Sequence, residues 1–464
     1  MAYKSLLTTY GKLVNVEQLY FAPTVVIPQT NTVLTSIYCL LAKSEPWADD
    51  VNPPAPQQST KYVKNFLKNV FVAKRIQTNN ISPVVERIDW TSGTTYDYYQ
   101  DDVDMFETNT DGLLVRKFYV KNRYDQVFKC LWNNNNSSST IEPYFEPGTY
   151  GTTNIFEGGD GYKWKFMCTI DTGSKVRFMD KDWMPINNGY NTPNPIKSGL
   201  TNTPVLAGTG DIEVINVMDG GSGYDPATSL ITVTVTGDGT SANAYVEPSD
   251  VVGGVIKNIR VSSTGKNYNY SNVSITSSTG SGAIAIAPVS PIGGHGFDTV
   301  SELGCTKAII AIEFNGSEGG IIPTDITYHQ AGLVVTPTSL STTPNAANSS
   351  IYKVSTDLIV APGFGQFTNN EYVYQGSSLS SSTWKGQVLS FDVASNVLHT
   401  INTTGTMTTN APIFGDTSKT TRTLLSYTTP DYVALSGYII AIENRSGITR
   451  SADGIEQFKF LVSY

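Results

Sequence analysis

Charge is scarce in this chain. Charged residues make up 15% of its 464 residues, against about 25% in ordinary globular proteins. The balance of 31 Lys and Arg against 40 Asp and Glu gives a formal net charge of −9. That excludes a generally basic nucleic-acid binder, and so few charges also exclude a chain kept disordered by charge solvation. Histidine is scarcer still, with His295, His329 and His399 each standing alone. No HxxH, HExxH or GxSxG string occurs, so neither zinc hydrolysis nor Ser-His-Asp catalysis has a local motif. A triad would have to be assembled from distant residues, and the three histidines read as structural. The four cysteines, Cys39, Cys130, Cys168 and Cys305, have no CxxC or other short spacing. They read as isolated buried thiols, not as a disulfide framework. Nowhere do about 18 apolar residues run together, and Met1-Ala2-Tyr3-Lys4 leads into no apolar signal region. The expectation is a soluble protein, without membrane insertion, made in a reducing cytoplasm.

Strand patterning is abundant. The run Val33–Leu41 is apolar and of strand length, ended by Ser44-Glu45-Pro46-Trp47 and a loop holding Pro53, Pro54 and Pro56. Pro46 forces Glu45 into an extended conformation and presents Trp47 for burial. A helix is predicted next, capped by Ser59, with Tyr62/Phe66/Val70 and Val63/Leu67/Phe71 on one face and Lys61, Lys64 and Lys68 on a solvated one. Further on, Asp160-Gly161 suits the positive φ of a tight hairpin turn. After it Tyr162, Trp164, Phe166, Cys168 and Ile170 alternate with Lys163, Lys165 and Met167, the pattern of a strand with an aromatic face.

Residues 212–287 contain a repeat. Ile212, Ile215, Val217, Gly221 and Tyr224 recur as Ile256, Ile259, Val261, Gly265 and Tyr268; then Ile231/Val233 match Val273/Ile275, and Ala242/Ala244 match Ala283/Ala285. Each copy reads as strand, Gly-Tyr turn, strand, Gly-rich turn, strand. Two copies are too few for a solenoid and read as an inserted β-module. Residues 326–415 hold only Lys353, Asp357, Glu371, Lys385 and Asp392 as charged side chains. Thr336–Ser350 reads as a linker, and strands at Val388–Val393 and Val397–Ile401 point to a second small barrel or sandwich.

Chemistry-bearing strings are few. Gly237–Ala242 fits a dinucleotide fingerprint literally, but the alternating residues after it run as a strand to Pro248, so no helix N-terminus is there to cradle a pyrophosphate. Asp97, Asp101, Asp102 and Asp104, among Tyr96, Tyr98 and Tyr99, carry enough carboxylate for Ca²⁺ or for acid–base work on a sugar. They lack the EF-hand pattern and read as an exposed acidic loop. Asn133–Asn136 with Ser137–Ser139 likewise reads as an exposed loop. Arg445, after an apolar strand, is available to pair with a carboxylate of the front half and tie the chain ends together.

Five strings then fall in a familiar order: Ser44-Glu45-Pro46-Trp47; Arg87-Ile88-Asp89-Trp90; Gly159-Asp160-Gly161-Tyr162-Lys163-Trp164; Ser436-Gly437; and Glu443-Asn444-Arg445. In that order the chain resembles the baseplate wedge subunit of T-even-type contractile-tailed bacteriophages, the gene-product-eight type. A weaker similarity lies around Tyr328–Pro337, and Gly293-Gly294-His295-Gly296 with Glu302-Leu303-Gly304 resembles a segment of related tail proteins. The likeness covers about residues 1–190, parts of 295–337, and 430–464, and skips both modules. It implies a non-enzymatic structural subunit of the virion tail without cofactor or metal. It further implies a homodimer within each of six wedges, contacting other wedge proteins and tail-fibre-network proteins and moving with the baseplate before sheath contraction.

The expected architecture is mainly β with a few helices, multi-lobed, with antiparallel sheets or sandwiches and two inserted small β-modules. Its parts are a core at 1–195, the repeat module at 196–290, a return to the core at 291–337, the charge-poor module at 338–428 and closing strands at 429–464. The alternative reading is a receptor-binding or polysaccharide-cleaving tail protein using residues 96–104. The charge deficit lies in the back of the chain: residues 1–190 carry 20 acidic and 19 basic side chains, residues 191–464 carry 20 and 12.

Overall fold

The computed structural model describes residues 11–13, 15–16, 19, 26–27, 32–33, 36–149, 153–186, 210–340, 345–347 and 349–463. It is a mostly β fold, 44% strand and 8% helix, in several antiparallel sheets of which one closes into a barrel. Two compact units share the chain: residues 1–16, 82–309 and 461–464 form one, residues 17–81 and 310–460 the other. The boundary expected at 195–196 lies outside the described residues.

In the second unit the apolar run becomes the strand Ile37–Ala42, buried at every residue. It lies inside a five-stranded sheet, between Val70–Ile76 and Thr327–Val335, with Ile351–Lys353 and Tyr438–Thr449 at the edges. Central strands covered on both faces carry unbroken apolar runs, and one cover is the helix Thr60–Lys68. Ser59 Oγ accepts the Tyr62 amide at 3.3 Å as its cap, and Phe66 and Leu67 pack on Tyr38, Leu40 and Ala42. Gly332 opposite makes room: a Cβ there would lie 2.6 Å from the Phe66 ring. The helix is shorter than its periodicity predicts. It ends at Lys68, and Val70 and Phe71 belong to the next strand, where β-branched Val70 and Val72 are favoured. Lys61, Lys64 and Lys68 are exposed as expected.

The charge-poor module is a closed barrel. Its strands run Thr356–Val360, Val397–Gly405, Trp384–Asp392, Tyr372–Gln375, Pro412–Gly415, Thr421–Thr428 around the circle, and the last pairs back to the first. Leu358, Val360, Val373, Trp384, Val388, Leu398, Ile413 and Leu424 fill the interior. The stretch read as a linker is partly structured, with Thr338–Ser339 pairing Asn345–Ala346; residues 341–344 and 348 lie outside the described set.

In the first unit Lys163–Thr169 pairs with Gln126–Trp132 and Ile155–Glu157, and Tyr119–Lys121 completes the sheet. Trp164 is fully buried and stacks on Tyr162, with centroids 5.4 Å apart at 15°. The expected polar face is also covered: Lys163 and Lys165 are each only 7% exposed. The repeat module accounts for this, since Ile215 O accepts from Lys163 and Glu213 pairs with Lys165. The Asp160-Gly161 turn differs from a tight hairpin as well. Only Gly161 has positive φ, +83°, in a loop closed by Gly161 N to Gly158 O and Gly158 N to Tyr162 O, both 2.9 Å. The Asn133–Ser139 segment is not merely an exposed loop: Asn133 and Ser139 are buried. Asn134, Asn135 and Asn136 all take positive φ, a conformation asparagine tolerates better than most residues.

The two repeat copies interlock around a local two-fold axis. The second strands pair directly, Thr232–Gly237 with Ser271–Thr276, and the matched residues Val233 and Ile275 face each other; so do Ile215 and Ile259. The first strand of each copy pairs with the third strand of the other: Asn216–Ser222 with Ser281–Ile286, and Arg260–Lys266 with Thr240–Tyr245. The turn tyrosines cross over too. Tyr224 OH accepts the Ala283 amide and Tyr268 OH the Ala242 amide, each at 3.3 Å. Both copies therefore share one core of Ile212, Ile215, Tyr224, Ile231, Ile256, Ile259 and Tyr268. The fingerprint-like Gly237–Ala242 is a strand turn in this module, followed by the strand Thr240–Tyr245.

Candidate functional site

Four of the five strings singled out in the sequence meet in pairs. In the second unit Pro46 and Glu45 are exposed, Ser44 is buried, and Trp47 is only half-buried, so the expected burial of Trp47 is incomplete. Its ring lies under Lys43 Nζ at 4.5 Å, and its Nε1 donates to Arg445 O at 3.0 Å. Asp50, just beyond, accepts the Trp47 and Gly447 amides at 3.3 and 3.0 Å and sits 3.2 Å from His329 Nε2. Asn444 adds three more ties: its Oδ1 accepts from Tyr62 OH and Gln330 Nε2, both at 2.8 Å, and its Nδ2 donates to Pro54 O at 2.6 Å. Glu45 accepts from Gln387 Nε2, and Asn370 Nδ2 donates to Ser44 O at 3.4 Å.

Arg445 departs from expectation. Its guanidinium pairs with Glu443 at 2.8 Å and covers the Phe458 ring at 4.8 Å. The link to the front of the chain is made by its backbone oxygen and by the Asn444 side chain. A strand residue whose neighbour two positions earlier points to the same face finds its counter-ion there first.

In the first unit Arg87 grips Asp89 in a fork, Nε at 3.0 Å and Nη2 at 2.7 Å from Oδ2, and Lys121 Nζ adds a contact at 3.2 Å. Burial would raise the Asp89 carboxyl, but the Arg87 bond and Lys121 hold it below its ordinary value. Next to it Trp90 Nε1 donates to Ser139 Oγ at 3.0 Å, and that hydroxyl reaches Asp160 Oδ2 at 3.3 Å. Asp160 Oδ2 also accepts the amides of Thr140 and Ile141 at 2.8 and 3.0 Å, and Oδ1 that of Tyr162 at 3.2 Å. Gly161 is required: a Cβ would stand 2.6 Å from the Asn134 amide. Tyr162 OH donates to Ser137 O at 2.6 Å. The two strings are thus halves of one clamp around the 137–141 loop.

A third constellation was not readable as one in the sequence. Lys129 Nζ lies 3.1 Å from Glu302 Oε2, 3.1 Å from His295 Nδ1 and 4.0 Å from the Tyr99 ring centroid. Glu302 Oε1 accepts the Gly296 amide at 2.7 Å. Glu213 accepts from Lys165 and from the His295 amide, both at 2.6 Å. Lys129 and Glu302 side chains are 1% and 2% exposed. Burial and the Lys129 charge lower the His295 pKa; the ring is therefore neutral, Nδ1 accepts from Lys129, and Nε2 carries the proton. Burial would raise the Glu302 carboxyl, but the adjoining Lys129 charge outweighs it and holds it at about 2. Two cations and two carboxylates balance. With no open face, the cluster can orient backbone and fix register, and it has no access for a substrate. The sequence pattern pointed only to Lys165, on the non-aromatic face of its strand; its partner Glu213 lies 48 positions away, and Lys129, which no pattern singled out, is 173 positions from Glu302.

The acidic loop is engaged with its own fold. Asp97 accepts the Lys117 amide at 2.7 Å, Asp101 that of Val289 at 3.2 Å and Asp104 that of Phe106 at 3.0 Å. Tyr96 turns inward onto Trp164 and Tyr98 onto Trp132. Among the described residues no group of three or more His, Cys, Asp or Glu is arranged to hold a metal ion. The four cysteines are not joined in disulfides, and three of them are buried. No helix among the described residues is long and apolar enough to cross a membrane. No family model matches the chain, and no curated protein matches it significantly.

Proposed function

We propose that this chain is a structural subunit of a contractile phage-tail baseplate wedge. The observation that supports the reading is that strings recognised by their order in the sequence form two clamps in space. Trp47 meets Arg445 across 398 positions, and Trp90 meets Asp160 through Ser139. Side chains engaged in tying distant segments together fit a scaffold. On this reading the partners are neighbouring wedge proteins, tail-fibre-network proteins and a second copy within the wedge, the location is the virion tail after synthesis in the host cytoplasm, and no cofactor takes part. The sugar-cleaving reading of residues 96–104 has less support, because three of the four carboxylates hold backbone amides.

An antibody against residues 212–287, imaged on intact tails, is expected to decorate the baseplate periphery. Decoration of another part of the tail, or none, would overturn the reading. Incubation with host surface polysaccharide is expected to release no reducing ends; release that Asp101→Ala and Asp102→Ala abolish would favour the alternative.

A further inference from the structure

The barrel carries three chemically complementary side chains in one row. Thr356–Val360, Val397–Gly405 and Trp384–Asp392 are adjacent strands in that order, and their registers set Asp357 opposite His399 and His399 opposite Ser390. Directly opposed residues share a face. Leu358, Leu398 and Phe391 turn toward the barrel core, so Asp357, His399 and Ser390 turn outward. A register shift between Val388 and Ser390 brings the serine into the row, and bulges of this kind re-aim side chains beside functional sites.

His399 Nδ1 lies 2.7 Å from Asp357 Oδ1. Lys353 Nζ and Ser355 Oγ hold the same carboxylate at 2.7 and 2.8 Å. Burial would raise the Asp357 carboxyl, but the His399, Lys353 and Ser355 bonds outweigh it and keep it below its ordinary value. An ionised Asp357 holds the proton on Nδ1 and leaves Nε2 as the basic nitrogen. The Ser390 hydroxyl has no hydrogen-bond partner among the described residues, and its position directly opposite His399 in the strand register sets it beside the imidazole. A cavity of about 600 Å³ opens over both residues, and Ile322, Pro323, Phe391, Asp325 and Asp392 are among the side chains that line it. This lies within the ordinary range for small-molecule sites.

We propose that Ser390, His399 and Asp357 form a hydrolysis site for short acyl esters. Ser390 Oγ attacks the ester carbonyl carbon while its proton passes to His399 Nε2. The ester C–O bond breaks, and the leaving alkoxide takes that proton and departs as the alcohol. Water then attacks the acyl-serine, giving its proton to Nε2, and the acyl–Oγ bond breaks to release the carboxylic acid and restore the serine. Asp357 is a positioning residue that sets the imidazole tautomer. Triads are recognised by geometry and not by local strings, which is why the absence of GxSxG does not bear on this one. The site stands independently of the baseplate reading.

The test uses the full chain with a fluorophosphonate probe and, separately, p-nitrophenyl acetate. Peptide mass spectrometry is expected to find the adduct on Ser390, and Ser390→Ala, a change at a half-exposed surface position, should lose both labelling and hydrolysis. His399→Gln should slow labelling by about 100-fold or more, the usual contribution of a general base. In the unaltered chain the labelling rate should rise with pH to a plateau as an imidazole deprotonates, a readout that no variant's folding can confuse. Absence of a Ser390 adduct, or a Ser390 labelling rate that climbs without a plateau toward alkaline pH as for an unassisted hydroxyl, would overturn the proposal.

Discussion

At the scale of single residues, the buried Lys129–Glu302 pair is the most exacting feature. Removing one charge from such a pair strands the other in a low-dielectric interior, which typically costs about 3–5 kcal/mol. Glu302→Gln should therefore destabilise the first unit by about that much, read as a drop in melting temperature. The same change with Lys129→Met should recover most of the loss, because the desolvated ion is gone. The pH dependence has a defined sign. The Glu302 carboxyl is held at about 2 in the fold, against about 4.3 in an unfolded chain. Its stabilisation is complete above the unfolded value and is lost as pH falls toward 2. Thermal melts between pH 5 and 2 should fall more steeply for the native chain than for Glu302→Gln. An equal slope in the two would show that Glu302 does not carry the acid limb.

At the scale of elements, the repeat module depends on glycines that let its tyrosines cross between copies. A Cβ on Gly239 would overlap the Tyr268 ring, and one on Gly280 the Tyr224 ring. Gly239→Ala and Gly280→Ala should each destabilise the module by about 1–3 kcal/mol, the usual range for overpacking, with faster amide exchange in the strands of both copies. Exchange confined to one copy would contradict the shared core. Much of this fold was readable from local pattern: the alternation through Trp164, the Ser59 cap, the repeat itself and the hairpin around residues 394–396 all follow from short-range periodicity. What was not readable depends on pairing between distant segments. The strand exchange between copies, the cover over Lys163 and Lys165, and the Asp357–His399–Ser390 row are set by strand pairing across 15 or more positions or by a single bulge, which local periodicity does not encode. Trp47 was readable as a contact residue, but its partner is a backbone oxygen, which carries no sequence signature.

At the scale of the whole molecule, the two units differ in how the chain builds them. Residues 82–309 form the bulk of the first unit, to which 1–16 and 461–464 add short segments, whereas the second joins 17–81 to 310–460. A fragment spanning 82–309 should melt cooperatively by circular dichroism. A fragment spanning 17–81 should not, because the strand Ile37–Ala42 finds only one of its two partners there, the other being Thr327–Val335. A cooperative melt of the short fragment would show that the second unit is less dependent on its distant half than its sheet order implies. That dependence also sets a clock during synthesis. The fully buried strand Ile37–Ala42 leaves the ribosome early, while its second neighbour begins only at Thr327. At roughly 5–20 residues per second the nascent chain exposes this apolar edge for on the order of 15–60 s. Production of this protein in quantity therefore places a sustained demand on chaperones that hold open β edges at the ribosome.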